Sequence, residues 1–258
     1  MFTVAILNIF VVFFAYQARH KRTEFFLKVS FGLIFLFLAL RYNYGNDYSA
    51  YLKGFLEVNR VETIDYFDKY WHFDPGWIFL CRIFGPFGFF AMMAVLALFN
   101  CFVYYRFIRK YVPPAYYWFA VFFYVFNPYF MLVHSSAMRQ SLAISLFIFS
   151  IDYIYKKDAL RYFLCIGLAA LFHTSALVLL PVYLLGVFDW KINKITAVSL
   201  FSLFLLMFVF GNSFLPDINQ FINIYFQRYE VYEGGSEIGT GLGLIFNSFL
   251  FALILYYE

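Results

Sequence analysis

The sequence has little charge: 19 Lys and Arg residues and 15 Asp and Glu residues make up 13% of its 258 residues. An ordinary soluble domain carries about 25% charged residues, whereas 64% of this chain is hydrophobic and 26% is aromatic. These values exclude a typical soluble domain. Cysteine is also scarce, and Cys81, Cys101 and Cys165 lack the CxxC or Cys/His spacing of a zinc site or a disulfide framework. We expect them to pack as small side chains.

Several catalytic motifs are missing as well. The chain has no Gly-rich phosphate loop, HExxH or GxSxG, which argues against ATP hydrolysis and metal-dependent proteolysis. We expect no metal and no cofactor. The net charge of +4 does not indicate a nucleic-acid partner, because the basic residues stand at helix ends, where membrane topology places them.

Long, nearly uncharged runs dominate what is present. They cover residues 1–16, 25–40, 87–105, 115–133, 142–155 and 196–210. A helix needs about 20 mostly apolar residues to cross the hydrocarbon, and only helical backbone satisfies its own polar groups there. The sequence predicts an all-α protein, a polytopic transmembrane helical bundle of about eight or nine membrane helices, some short or re-entrant. We expect one transmembrane domain over residues 1–258.

Basic residues near the span ends predict the orientation. The clusters within 19–28, 106–110 and 156–161 mark the cytoplasmic side, whereas 41–76, with four basic and six acidic residues, belongs outside together with 211–241. The N-terminus is then outside. The first run is an uncleaved span, because its basic cluster follows the apolar core. The last run, 242–257, is so short that we expect the natural protein to be longer.

Two runs are too long for one straight crossing. The break at Gly85-Pro86-Phe87-Gly88 predicts a short interfacial or re-entrant helix followed by a true crossing. The run 159–188 has His173 at its middle and is either two short helices meeting there or one tilted helix. Asp152, near a cytoplasmic end, is interpreted as a helix-end residue.

Polar side chains at membrane depth are the first functional candidates. Arg41 directly follows the second apolar run and is either a snorkelling anchor or an anion ligand. Ser135 or Ser136 is expected to cap the next helix, which places Arg139 in its first turn. A cation is disfavoured there unless an anion shares the site. The alternative is an ion pair between Arg139 and a carboxylate of the first loop.

Two further positions have two interpretations each. His173 is either a packed residue, hydrogen-bonded to Thr174 or Ser175, or a proton acceptor with a pKa near neutrality. Asp74 precedes Pro75, a residue suited to the first turn of a helix, and either caps that helix or binds a sugar together with Trp77.

Four motifs in this order resemble the EpsG family of Wzy-like membrane proteins. They are Arg41…Gly45-x-Asp47-Tyr48-x-x-Tyr51, Asp74-Pro-Gly-Trp77, Met138-Arg139-Gln140-Ser-Leu-Ala143 and Leu171-Phe-His173-Thr-Ser175-Ala176. Two positions depart from the family pattern, which often has Glu where Asp74 stands and Thr where Asn46 stands.

The resemblance implies a metal-independent membrane glycosyltransferase with a glycosyltransferase C-like architecture in the bacterial inner membrane. Such a polymerase joins polyprenyl-pyrophosphate-linked oligosaccharide repeat units at the extracytoplasmic face during exopolysaccharide, capsule or O-antigen biosynthesis. The implied partners are this lipid-linked substrate, undecaprenyl pyrophosphate or a similar carrier, together with membrane lipid and other polysaccharide-assembly proteins.

The resemblance also implies roles for the candidate residues. Arg139 and Arg41 would bind and neutralise the leaving pyrophosphate, and His173 or Asp47 would accept the proton of the acceptor hydroxyl. The remaining residues expected to bind substrate are Tyr48, Gln140, Asp74 and Trp77.

Two other functions share these residues. A lipid-linked oligosaccharide flippase or exporter would use the arginines for binding alone, and a membrane acyltransferase would need a catalytic histidine, for which His20 beside Arg22 is the one hint. A flippase needs polar groups through the whole membrane depth. Here they gather at the outer edge, which favours surface chemistry.

Overall fold

The computed structural model of the chain describes residues 2–19, 24–60, 74–127, 130–131 and 133–187, and three isolated positions, 198, 199 and 202. The chain divides into two compact units, Met1–Asp189 and Trp190–Glu258, and the helices below belong to the first. The described residues contain no strand, so the predicted all-α class is confirmed. The predicted loop 211–241 and the run 242–257 lie outside the described residues.

Most of the described helices lie within or overlap the apolar runs, whereas the helix Tyr48–Arg60 lies in the predicted loop 41–76. In chain order they are α1 Phe2–Gln17, α2 Phe25–Leu40, α3 Tyr48–Arg60, α4 Pro75–Phe84, α5 Phe89–Tyr111, α6 Tyr117–Phe126, α7 Val133–Ser136, α8 Met138–Tyr155, α9 Ala159–Phe172 and α10 Val182–Val187. Single 3-10 segments cover Gly85–Phe87, Pro114–Tyr116 and Thr174–Leu179. Of the described helices, α5 alone is long and apolar enough to cross a membrane, and the other apolar helices have 10–17 residues. The predicted number of crossings therefore stays a prediction.

Both predicted breaks are present. The first follows α4, where Pro86 lies in the 3-10 segment and Gly88 has a φ of 86°, a left-handed conformation that glycine adopts without strain. The second follows Phe172, where His173 is extended and a 3-10 segment replaces the helix. The run 159–188 therefore forms short helical segments that meet at His173 and not one tilted helix, which confirms the first of its two interpretations.

The helices pack around two large apolar clusters, besides a small third one around Tyr162 and Ile166. One joins α1, α2, α5 and α6 around Val11, Ile34 and Val121. The other joins α3, α4, α5, α8 and α9, with Met92 and Ala169 fully buried. The second cluster supports the polar site described below, because the ends of α4, α8 and α9 meet above it.

Hydrogen bonds between helices fix their register inside these clusters. Ser30 Oγ donates to the Val11 carbonyl at 2.7 Å, which joins α2 to α1. Ser145 Oγ donates to Asn100 Oδ1 at 2.7 Å, which joins α8 to α5. Polar side chains in an apolar interior need such partners, so each bond specifies one alignment of its helix pair.

The basic residues at the C-terminal end of α5 lie at the opposite end of the helices from Arg41. At the C-terminal end of α5, Tyr105 and Arg109 contact Glu24, whereas at its N-terminal end Phe90 stacks on Tyr42. Arg41 and the α5 basic residues are therefore at opposite ends of the same helices.

Asp152 is more than the helix-end residue we expected. Its carboxylate is buried and accepts hydrogen bonds from Arg106, Lys110 and Tyr111. It lies in the last turn of α8, as expected, and in addition it neutralises part of the basic end of α5 and holds α8 against it.

Candidate functional site around the Asp74 carboxylate

Asp74 begins α4 without capping it. Its backbone carbonyl accepts the first helical hydrogen bond, from the Trp77 N–H at 3.0 Å, and Pro75 occupies the first turn. The side chain, however, makes no capping bond, so the interpretation of Asp74 as a side-chain cap is wrong. The carboxylate, whose side chain is 9% exposed, instead meets residues of two other segments.

Arg139 is the first of these residues. It lies in the first turn of α8, as predicted, and its Nη1 donates to Asp74 Oδ2 at 3.2 Å. The alternative interpretation, an ion pair with a carboxylate of the first loop, thus describes one contact of this residue. The Arg139 side chain is nevertheless 27% exposed. Solvent therefore reaches the guanidinium, whereas the Asp74 carboxylate is almost buried.

The predicted caps of α8 are wrong. Ala137 occupies the N-cap position with no side-chain bond, because Ser135 and Ser136 are already part of α7. The loop after Arg41 lies against these serines instead: the Asn46 backbone N–H donates to the Ser136 hydroxyl, Oγ, at 3.4 Å. A Cβ added at Gly45 would lie 2.2 Å from the Ser135 carbonyl oxygen, and Gly45 has a φ of 105°, so this position requires glycine.

His173 and Thr174 approach Asp74 from the end of α9. Thr174 Oγ1 donates to Asp74 Oδ1 at 2.9 Å, and His173 Nδ1 lies 3.9 Å from Asp74 Oδ2. The second distance is too long for a hydrogen bond but short enough for the carboxylate to stabilise a positive charge on the imidazole when it is protonated. The helix break makes both contacts possible, because it turns residues 173 and 174 out of the α9 register.

The charge state of His173 follows from its surroundings. Partial burial lowers the pKa of His173 below its ordinary value of 6.5, the Asp74 carboxylate opposes this shift, and the Arg139 guanidinium adds to it. The imidazole is therefore neutral at neutral pH and can accept a proton. Its side chain is 35% exposed, so a ligand can reach it.

A glycine contact sets the spacing of the site. A Cβ added at Gly76 would lie 2.9 Å from the Leu171 carbonyl oxygen and 3.0 Å from Leu171 Cβ. Only glycine lets α4 and α9 approach this closely. Because Asp74 is two residues before Gly76 and His173 two residues after Leu171, this contact brings the carboxylate to the histidine.

The other predicted substrate-binding residues have different surroundings. Tyr48 packs edge-on against Phe89, Trp77 packs edge-on against Tyr51 at 5.2 Å, and both are buried in the second apolar cluster. Their direct contact with a sugar stays a prediction.

Asp47 and Gln140 are both exposed. Asp47 lies in the turn before α3, where its carbonyl accepts the Tyr51 N–H, and Gln140 follows Arg139 on α8. Their predicted roles, in proton transfer and in lining the site, remain untested by this geometry.

Arg41 does not snorkel. It is 6% exposed, its Nη1 donates to the Leu38 carbonyl at 3.2 Å, and burial lowers its pKa from 12.5 to about 10, so it stays a cation at neutral pH. It lines a small cavity with Met138, the residue before Arg139. The two arginines are thus at the same end of the helices, one in the site and one beneath it.

Sequence reasoning missed two residues. Thr174 was expected to bond His173, yet its hydroxyl holds Asp74, a partner 100 positions away. His134 was given no role, and the structure buries it beside Tyr124. The one available signal was a histidine between two apolar runs.

Metal chemistry has no obvious ligand set in the described part of the chain, where no group of three His, Cys, Asp or Glu side chains could hold an ion. The arrangement instead offers a neutral imidazole next to a carboxylate and a partly exposed guanidinium. Such a set can move a proton and neutralise an anion.

Comparison with known proteins agrees with the four sequence motifs. A family model described as the EpsG family matches residues 24–258, which is most of the chain. Searches of curated proteins and of solved structures give no match. The chain belongs to the EpsG family.

Proposed function

We propose that this protein is a membrane glycosyltransferase of the polymerase type. It joins oligosaccharide repeat units that are carried on polyprenyl pyrophosphate, at the extracytoplasmic face of the bacterial inner membrane. The observation that carries the proposal is the convergence of His173, Arg139 and Asp74 at the meeting ends of three helices. Membership of the EpsG family, whose members are membrane proteins with a role related to polysaccharide polymerisation, supports it.

The reaction requires two charge movements. The acceptor hydroxyl forms a new bond to the anomeric carbon, the bond from that carbon to the pyrophosphate oxygen breaks, and the hydroxyl proton leaves. The departing pyrophosphate gains negative charge, so a fixed cation beside it stabilises the transition state. A base within reach of the hydroxyl must take the proton.

His173 is the best candidate for the base among the described residues. It is neutral, partly exposed and 3.9 Å from the Asp74 carboxylate. When it accepts the proton, the resulting imidazolium gains a nearby negative charge, which favours the transfer. Asp47, the alternative base, is exposed and lies in the turn before α3. Asp74 is then the group that holds Arg139 in place and stabilises the protonated His173.

Arg139 is the candidate ligand of the pyrophosphate. A guanidinium carries five N–H donors on two edges, so it can hold a carboxylate on one side and bind a phosphate oxygen with the other. The position of Arg139 in the first turn of α8 adds the positive end of the helix dipole to its charge. Arg41 contributes positive charge from beneath.

The charge distribution supports the proposed orientation. The site lies at the end of the helices that carries Arg41, whereas Arg106, Arg109 and Lys110 gather at the other end of α5. Basic residues favour the cytoplasmic side, so the site faces outwards, with the N-terminus outside and several membrane crossings. The lipid carrier would lie against the exposed apolar side chains of these helices.

The test is chain extension by the purified full-length protein in lipid vesicles, with a polyprenyl-pyrophosphate-linked repeat unit as substrate. We expect His173→Gln and Arg139→Gln each to reduce the rate by about 100-fold or more, the usual cost of losing a general base or an electrostatic stabiliser. Arg161→Gln is the matched control, because Arg161 also lies in the first turn of a helix and pairs with an aspartate, Asp158.

Two outcomes would contradict the proposal. If His173→Gln and Arg139→Gln extend chains at the rate of the Arg161→Gln control, the site assignment is wrong. If the wild-type protein extends nothing yet moves the lipid-linked sugar across the vesicle membrane, the protein is a flippase or exporter and the enzyme proposal is wrong.

A further inference from the structure

Beneath the Asp74 site lies a second polar cluster that the proposed reaction does not use. It surrounds a small cavity of about 10 Å³ between α2, α5, α7 and α8. Its polar lining consists of Arg41, Asn100, His134 and Ser141, among apolar side chains. Arg41 and His134 are 6% and 3% exposed, so neither reaches bulk solvent.

Each of these two side chains has a nitrogen atom without a partner. Arg41 Nε and His134 Nε2 are both completely buried and make no hydrogen bond. The other ring nitrogen of His134, Nδ1, is 2.9 Å from the Tyr124 hydroxyl. Buried polar atoms are rarely left unpaired. Two residues with such an atom line the same cavity, which indicates a shared occupant.

The size of the cavity limits that occupant to one water molecule. A cavity in which the centre of a water-sized sphere can occupy about 10–15 Å³ holds a single water molecule. A buried water makes about three hydrogen bonds. Arg41 Nε–H is a donor, so it needs an acceptor. A water oxygen accepts from it and can either donate to His134 Nε2 or accept from it, so one water satisfies both atoms in either histidine tautomer.

The charge state of His134 agrees with this occupant. Burial, and then the neighbouring Arg41 charge, lowers the pKa of His134 to about 3. A neutral imidazole next to a guanidinium costs no charge repulsion, and it leaves one ring nitrogen for Tyr124 and one for the cavity.

We propose that this cavity holds one ordered water molecule bridging Arg41 Nε to His134 Nε2, and that His134 is thereby a positioning residue for the Arg41 guanidinium. The bridge links Tyr124 of α6, through α7, to the residue that ends α2. It fixes the Arg41 charge next to Met138 and hence close to the start of α8, where Arg139 begins the site. The second half of this proposal rests on the proposed function, because it assumes that the Arg41 charge assists pyrophosphate binding.

The water is tested without any activity assay. In protein labelled with ¹⁵N-histidine, water-edited solid-state NMR measures magnetisation transfer from water to each ring nitrogen, and the His134 signals are assigned by their loss in His134→Gln. We expect transfer from a tightly held water to His134 Nε2. The absence of such transfer, when the exposed His173 shows it, overturns the water bridge.

The positioning role is tested with His134→Phe, which removes Nε2 and fills the space with an apolar ring. We expect the KM for the lipid-linked repeat unit to rise roughly tenfold, while kcat changes little, because uniform binding is lost. His134→Gln, which can again present a polar atom to the cavity, should restore most of the affinity. Ser30→Ala is the matched control, because it removes a buried hydroxyl that bonds Val11 at another helix contact.

The outcomes separate the two proposals. If His134→Phe and Ser30→Ala have the same KM, or if His134→Gln is no better than His134→Phe, His134 is not a positioning residue. If His134→Phe does not fold, the NMR measurement on the wild-type protein still decides whether the water is present. If the wild-type protein does not extend chains, the proposed function is wrong, and the NMR result stands independently.

Discussion

Replacing Gly76 with alanine tests whether the close contact of α4 with α9 builds the site. The added Cβ would lie 2.9–3.0 Å from three atoms of Leu171, two of them backbone, and backbone cannot rotate away as a side chain can. The helices must therefore separate by several tenths of an ångström. Overpacking of this kind costs about 1–3 kcal/mol, of which the higher helix propensity of alanine returns at most about 1 kcal/mol.

The effect on activity should exceed the effect on stability. Thr174 Oγ1 is 2.9 Å from Asp74 and His173 Nδ1 is 3.9 Å from it. A separation of half an ångström breaks the first contact and weakens the second, and misplacement of a reacting group by about 1 Å can cost about 100-fold in rate. We expect Gly76→Ala to lower the melting temperature modestly and the rate of chain extension by at least tenfold.

The matched control is Gly167→Ala, on the same helix as Leu171, where an added Cβ meets nothing within 4 Å. This variant should be as stable as the wild-type protein or slightly more stable, by about 0.4–1 kcal/mol, with an unchanged rate. The reasoning is refuted if Gly76→Ala keeps the wild-type melting temperature and rate, or if Gly167→Ala loses as much.

Two other predictions concern charge. Neutralising the buried Asp152 by Asp152→Asn removes the partner of Arg106 and Lys110, so thermal unfolding should show a loss of about 1–3 kcal/mol; Glu57→Gln, which breaks an exposed pair, should show almost none. For the proton acceptor, the lowered pKa of His173 means that the imidazole stays neutral on acidification until the pH falls below about 6.5. The rate should therefore be constant through neutrality and fall in the acid, with a midpoint below 6.5, and His173→Gln should remove that limb; a midpoint above 7 would exclude His173 as the base.

The local features of the fold could be predicted from the sequence, because local residues determine them. Proline and glycine, here Pro86 and Gly88, interrupt a helix through their own backbone properties. The apolar runs indicate where most of the helices lie. The sequence missed α3 within the predicted external loop 41–76. Its residues alternate charged and apolar at helical spacing, and Phe55 and Val58 pack inward, a pattern obscured by the charges that indicated a loop.

The partners within the site could not be predicted in the same way. Asp74 meets Arg139 and Thr174 across 65 and 100 positions, and that pairing depends on the crossing of α4 and α9 at Gly76. The residues and their chemistry were visible in the motifs. Which acidic residue contacts which basic residue depends on how the helices pack. The sequence alone does not show which of these residues lie close together in space.

The ion pair between Asp74 and Arg139 could be structural, catalytic or both, and these roles predict different behaviour. A carboxylate at the start of a helix satisfies itself most simply by capping that helix. Asp74 does not cap α4. It contacts two other segments instead, and the side chains of Arg139 and His173 in those segments are partly exposed to solvent. An ion pair that only held helices together would not be stabilised by this exposure to solvent.

A double-variant cycle separates the roles. Asp74→Asn or Arg139→Gln alone leaves a partly buried charge without its opposite, which lowers the melting temperature, whereas Asp74→Asn with Arg139→Gln replaces the pair by neutral groups that can bond each other and should recover much of that loss. Chain extension should not recover, because no guanidinium then meets the pyrophosphate and no carboxylate stabilises the protonated His173. If the double variant regains the rate together with the stability, the pair only holds the helices in place, and the pyrophosphate must bind elsewhere.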